Sequence, residues 1–360
     1  MKILLGSYAP GGAECLIHIA QKLLSLDHQI STLTTNMSAQ IFLNHGITPD
    51  YEFNCIGVPL YKEVEDILKK IAPDVVVSGI VGPKDQLDYA LIEGAKELKI
   101  PILSILDSWM NYADRFNNPV TLEKNFYQPN LVAVMDQFTL DEMTKEGCNP
   151  NICFISGHPK FDWIKKSKEI DNKGMKEKLG LNSQKKCITF FSHPVDSYYP
   201  NRSLGYNEFD VFPILFETLF NDLDKDSFEF VFKEHPIDST LPKDYIKNYQ
   251  FHYIERCNID DLMLATDIAI SMSSTMLIFS ALCTSKVISI QPNLNIEHDN
   301  CVLTRAEILP NTQNKIDFLG ELKSGLLETG SSAKYEKFFN ADGKSCDRII
   351  EKIYSLGDFE

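Results

Sequence analysis

Short apolar runs alternate with helical stretches along most of the chain. Lys2–Leu5 reads as a strand, Ala13–Ser25 as an amphipathic helix and Gln29–Thr34 as a second strand. Val64–Ile71 and Asp88–Leu98 have helical spacing, while Asp74–Ser78, Pro101–Leu106 and Leu131–Val134 are apolar runs of strand length. Strands and helices in this rhythm predict parallel βαβ units and a doubly wound sheet. Around residues 151–164 the rhythm breaks, with a strand, a Gly turn and a proline in Phe154-Ile155-Ser156-Gly157-His158-Pro159. A second series follows: strands at Cys187–Phe191, Phe228–Lys233, Phe251–Ile254, Ile268–Ser271 and Lys286–Ile290, with helices at Asp210–Leu223, Asp260–Ala265 and Thr275–Leu282. Tyr335–Tyr354 reads as one amphipathic helix. The pattern predicts an α/β protein of two Rossmann-like domains facing a cleft. Residues 1–158 form the first and 159–340 the second, with 341–360 a C-terminal helix packing back on the first.

The length of 360 residues fits two domains. A net charge of −15, from 50 acidic against 35 basic residues, argues against nucleic acid as a partner. Nine scattered cysteines without a C-x-x-C pair indicate reduced thiols rather than a zinc or redox site, as expected of a cytoplasmic protein. The start Met1-Lys2-Ile3-Leu4-Leu5-Gly6 is too short for a signal-peptide core. The most apolar stretch, Asp267–Ile290, carries too many Ser, Thr and charged residues to span a membrane. Peripheral contact with the inner membrane stays open.

Ligands of open parallel sheets bind beyond the carboxyl ends of the strands. Four strand ends therefore matter. Phe228–Lys233 runs into Glu234-His235-Pro236, where an imidazole can donate to a phosphoryl oxygen or protonate a leaving phosphate. A turn histidine bonded to backbone is the plainer alternative. Ile268–Ser271 runs into Ser273-Ser274-Thr275, small hydroxyls that cap a helix and let an anion approach. A cap that binds nothing is the alternative there. In the first half, Gly11 and Gly12 allow close backbone approach to a sugar or phosphate, or simply make a tight turn, and no dinucleotide fingerprint is present. Asp107 follows Pro101–Leu106 beside Trp109, a carboxylate suited to general-base work next to a ring suited to sugar stacking. A helix-capping Asp is the equal alternative. His193-Pro194 and Gly205-Tyr206-Asn207-Glu208 rim the expected cleft without a diagnostic spacing. Glu297-His298-Asp299 is read as a surface loop and His158-Pro159 as part of the interdomain crossing.

Taken together, Glu234-His235-Pro236 and Ser273-Ser274-Thr275 resemble the HP and SS/ST motifs of the bacterial GT-B sialyltransferases and related nonulosonic acid transferases, including Kdo transferases. Asp107-Ser108 lies where those families carry an acidic motif, though without its glycine and second acid, and Asp114 is a substitute. Gly157-His158-Pro159-Lys160-Phe161-Asp162 is similar to the G-x-P-x-x-D of many GT-B crossings. Related short motifs occur in CDP-glycerol phosphotransferases and in UDP-sugar 2-epimerases. The resemblance implies a metal-independent inverting glycosyltransferase that needs no cofactor. Its substrate would be a sugar nucleotide, CMP-linked by preference, and its acceptor a surface glycan or glycoprotein, as in polysaccharide biosynthesis. It further implies Asp107 and His235 as catalytic, with Gly11, Gly12, Lys233, Glu234, Pro236 and Ser273–Thr275 binding substrate. The alternatives are a UDP-sugar 2-epimerase or hydrolase, and a catalytically silent sugar-nucleotide-binding protein.

Overall fold

The computed structural model describes residues 1–54, 60–80, 82, 86–118, 120–235, 243–283 and 285–357. It divides into two compact units, Met1–Trp163 with Lys337–Glu360, and Ile164–Glu336. Each is a Rossmann-like α/β unit built on one parallel sheet.

The first sheet comprises β1 (Lys2–Ser7), β2 (Gln29–Thr35), β3 (Tyr51–Phe53), β4 (Val75–Ile80), β5 (Ile102–Leu106), β6 (Leu131–Val134) and β7 (Cys153–Ile155) in the order β3-β2-β1-β4-β5-β6-β7. The second comprises β8 (Lys186–Phe191), β9 (Phe228–Lys233), β10 (His252–Ile254), β11 (Ile268–Ser271), β12 (Lys286–Ile290) and β13 (Asn311–Thr312) in the order β10-β9-β8-β11-β12-β13. Strands β4, β5 and the inner part of β8 are buried along their length. That accounts for their unbroken apolar runs, because both faces of a parallel sheet are covered. The order reverses between β1 and β4 in one sheet and between β8 and β11 in the other. Such reversals open the crevice where doubly wound sheets take ligands.

The first core joins Ile3, Leu5, Val75, Val77, Leu103 and Ile105 of the sheet to Leu16, Ile17, Ile19 and Leu23 of helix Pro10–Ser25. Cys346, Ile349, Ile350 and Ile353 of helix Ser345–Gly357 enter the same core. Asp162 anchors the start of that helix, accepting from the Ser345 and Cys346 amides at 2.8 Å each. The second core is aromatic. Phe190, Phe212, Phe216, Phe230 and Phe232 pack between β8, β9 and helix Glu208–Asn221.

The segment expected as one helix from Tyr335 to Tyr354 is two, Ala333–Phe338 and Ser345–Gly357. Asn340 (φ 53°) and Gly343 (φ 82°) turn the chain between them in the left-handed region, which a helix cannot contain. Helices Asn36–Asn44 and Gln137–Lys145 were not legible in the apolar pattern, and each begins at a side-chain cap, Thr35 and Asp136. Asp267–Ile290 is strand, short helix and strand. Among the described residues no helix is long and apolar enough to cross a membrane. Among the described residues no cysteine is in a disulfide, while Cys55 lies outside the described residues.

Candidate functional site

In the second unit three neighbouring strands end level with one another. Phe191 of β8 pairs with Lys233 of β9, and Ile270 of β11 pairs with Phe190. The Ser271 hydroxyl donates to the Phe191 carbonyl at 2.7 Å, which ties the β11 end to the β8 end. Two residues past each end stands a polar side chain: His235 after β9, His193 after β8 and Ser273 after β11.

The rings of His193 and His235 meet edge to face, with centroids 6.1 Å apart. Tyr198 closes a three-ring cluster at 5.7 Å from His193 and 6.3 Å from His235. His235 is half-buried, whereas His193 is only 8% exposed, and its Nε2 has no hydrogen-bond partner among the described residues. Burial first, and the neighbouring His235 second, push the His193 imidazole down to about 3, so it is neutral at pH 7. The turn that carries it is fixed from below. The wholly buried carboxylate of Glu208 accepts from the Asp196 amide through both oxygens, at 3.2 and 3.1 Å.

The hydroxyl loop divides its labour. Ser274 accepts from the Met276 amide at 3.2 Å, and helix Met276–Leu282 starts there. Thr275, the residue before that helix, makes no capping bond with its side chain. Ser273 is 5% exposed, and its hydroxyl has no partner among the described residues. A buried hydroxyl and a buried imidazole nitrogen cost free energy unless a hydrogen-bond partner answers them, and none does among the described residues.

The remaining residues of the first motif face inward. The Lys233 ammonium donates to the carbonyls of Glu234 at 2.5 Å and Glu255 at 3.0 Å. Burial lowers its pKa, and it holds the ends of β9 and β10 together. The Glu234 carboxylate accepts from the Tyr253 hydroxyl. Pro236 lies outside the described residues.

The first unit has the same strand order but a different finish. Asp107, one residue past β5, pairs with Arg115 at 2.8 Å. The guanidinium also donates to the Ile80 carbonyl at 2.6 Å, to Ser108 Oγ at 2.5 Å and to the Met110 carbonyl. Asp107 is thus held by an ion pair and caps no helix. Its other oxygen occupies the space a side chain at Gly11 would need, for a Cβ there would lie 2.2 Å from Oδ2. Gly12 is used for packing, since its Cβ would meet Ser7 Oγ at 2.5 Å and the Gly79 Cα at 3.2 Å. Gly11 and Asp107, chosen separately in the sequence, come together here.

Trp109 is 2% exposed, which corrects the expectation of a sugar platform. Its indole N–H donates to Asp136 at 2.6 Å, and its ring stacks on His158 at 5.9 Å. Burial drives His158 down to about 3, and it faces Cys15 Sγ at 3.3 Å. Asp114 is exposed on a short turn. Asp299 is no bare surface loop residue: it accepts from Thr304 Oγ1 at 2.5 Å and from the Cys301 amide at 2.8 Å.

Two residues received little weight in the sequence. His193-Pro194 is expected only as part of a cleft-rim loop, although Phe190-Phe191-Ser192-His193-Pro194 repeats the layout of Phe232-Lys233-Glu234-His235-Pro236 on the adjacent strand. Glu14 stands at the start of the second turn of helix Pro10–Ser25 and pairs with buried Lys160 at 3.2 Å, and no motif marked it.

Comparison with known proteins fits this arrangement. Solved UDP-GlcNAc 2-epimerases share the fold across both units. The enzyme from Neisseria meningitidis, bound to UDP-GlcNAc, is 15% identical with a TM-score of 0.68, covering 99% of this chain and 100% of its own. That from Methanocaldococcus jannaschii is 17% identical with a TM-score of 0.71, again over 99% and 100%. That from Rickettsia bellii is 14% identical with a TM-score of 0.66, over 99% and 97%. At such identity the likeness establishes the GT-B fold and nothing finer. No curated protein matches the chain in sequence. The family model described as CDP-Glycerol:Poly(glycerophosphate) glycerophosphotransferase matches residues 141–355, a span containing His193, His235 and Ser273–Thr275. With more than half of its length so matched, the chain belongs to the CDP-glycerol:poly(glycerophosphate) glycerophosphotransferase family.

Proposed function

We propose that this protein is a transferase that takes a sugar or a polyol phosphate from a cytidine-nucleotide donor and passes it to a hydroxyl of a surface-polymer acceptor. The observation that carries this reading is the family match over residues 141–355, which spans the strand ends of the second unit. The donor's phosphate lies against His235 and the Ser273–Thr275 loop. Their hydrogen bonds strengthen as negative charge grows on the departing nucleotide, which is how fixed donors lower a barrier. For a glycosyl donor a single displacement inverts the anomeric carbon. For a polyol phosphate the acceptor oxygen attacks phosphorus. Asp107 and Glu14 are the first-unit carboxylates to test for accepting the hydroxyl proton.

Thermal shift with CMP, CDP, UMP and UDP tests the reading. A ligand at a hundred times its Kd adds about 2.7 kcal/mol of stability. Stabilisation by CMP or CDP is expected, and preference for UDP overturns it. CMP alone would select a nonulosonic acid donor, and CDP a polyol phosphate.

The shared epimerase fold supports a second reading, a UDP-sugar 2-epimerase. Incubation with UDP-GlcNAc and no acceptor separates the two: conversion of the sugar favours the epimerase, and an unchanged sugar favours the transferase.

A further inference from the structure

Three features converge on one side chain outside the paired motifs. His193 stands at the end of β8, the strand beside which the order of the second sheet reverses. Its ring abuts that of His235 on one side, at 6.1 Å between centroids. On the other, the Ser271–Phe191 bond brings in the loop bearing Ser273, whose hydroxyl is also buried and partnerless among the described residues. His193 therefore occupies the middle position of a row whose outer members are the two motifs.

We propose that His193 is a third ligand-contacting residue of the nucleotide site, its Nε2 bonding a phosphoryl oxygen of the donor between His235 and Ser273. The inference rests on the second unit being the nucleotide site. An imidazole that is more than nine-tenths buried, with a nitrogen unanswered among the described residues, offers a contact to a ligand. A neutral ring carries one N–H, and the phosphoryl oxygens of a nucleotide are strong acceptors for it. The chain also spends a buried carboxylate, Glu208, on fixing the turn that follows, so the ring is held before any ligand arrives. The neutrality that burial imposes has a functional meaning in this setting. A ring that stays uncharged through the neutral range donates the same single N–H at pH 6 and pH 8.

Calorimetric titration of CDP and CMP into the full-length protein tests the inference, with His193→Ala, His193→Gln and His235→Ala alongside. His193→Ala should weaken the better-bound nucleotide about tenfold or more, the size of one hydrogen bond to a charged group. His193→Gln, whose amide nitrogen reaches toward the Nε2 position, should recover a large part of that loss. Unchanged affinity in His193→Ala together with loss in His235→Ala overturns this inference and leaves the proposed function standing. Unchanged affinity in both variants overturns the nucleotide site itself. If His193→Ala does not fold, imidazole nitrogen NMR of the wild-type protein decides. Added CDP should move the His193 Nε2 resonance, and a response confined to His235 overturns the inference.

Discussion

The ends of β3-β2-β1-β4 and of β10-β9-β8-β11 form the same platform by topology, and the chain furnishes them in opposite ways. In the first unit the side chains answer one another. Asp107 fills the space left by Gly11, Arg115 divides its donors among a carboxylate, a hydroxyl and two carbonyls, and Trp109 is bonded to Asp136. In the second unit His193 packs against the rings of Tyr198 and His235, and His193 Nε2 and Ser273 Oγ have no partner among the described residues. A strand order shows where a ligand can go. At the second of these places the strand ends carry two buried polar atoms without a partner among the described residues.

If that contrast holds, substitutions at the two platforms should fail differently. The largest effect is expected from Arg115→Ala, which strands the Asp107 carboxylate and should destabilise the first unit by about 3–5 kcal/mol in urea unfolding. A loss below about 1 kcal/mol would mean that the platform is not self-supporting. His235→Ala should do the reverse, leaving the unfolding midpoint near wild type while lowering turnover about 10²–10³-fold, as removal of one transition-state donor does. Wild-type turnover would defeat the phosphate-site assignment. Gly11→Ala drives a methyl into Asp107 Oδ2 and should cost about 1–3 kcal/mol. Combining it with Asp107→Gly, which vacates that space, should restore most of the loss. Additive losses in that double-variant cycle would separate Gly11 from Asp107.

The smallest effect concerns acid. His158 and His193 are each held neutral when folded, at about 3, against an ordinary value near 6.5 when unfolded. Below about pH 6.5 the unfolded chain binds protons that the folded chain refuses, so stability falls as pH falls toward 3. Each ring contributes at most about 1.4 kcal/mol per pH unit in that window. His158→Gln and His193→Gln should each flatten the pH dependence of unfolding between pH 6.5 and 5, in the first and second unit respectively. A slope unchanged in both would show the rings to be charged in the folded protein.

The apolar alternation made the two-sheet plan legible because strands buried on both faces leave unbroken runs, and β6, β9, β11 and β12 were read to the residue. The strand-end motifs were legible for the same reason, since a known strand places its successor. What a side chain does after that point was not. Lys233 sits in a phosphate-like context, yet its ammonium turns to two carbonyls that the ends of β9 and β10 place within reach. Trp109 looked available because it follows a strand. The packing of His158, Phe161 and Phe339, residues far apart in sequence, buries it. His193-Pro194 repeats the other His-Pro in the sequence, but only the adjacency of β8 and β9 places the two rings side by side.

Helix Ser345–Gly357 also sets an order of events. The residues that close the first core are made only after the whole of Ile164–Glu336, which is one uninterrupted stretch. On a ribosome that releases the chain from its amino end, the second unit can complete its core while the earlier-made unit still exposes Leu16, Ile17 and Ile19. The half that begins first must therefore be the half that finishes last, and any chaperone that attends this chain has its longest task there.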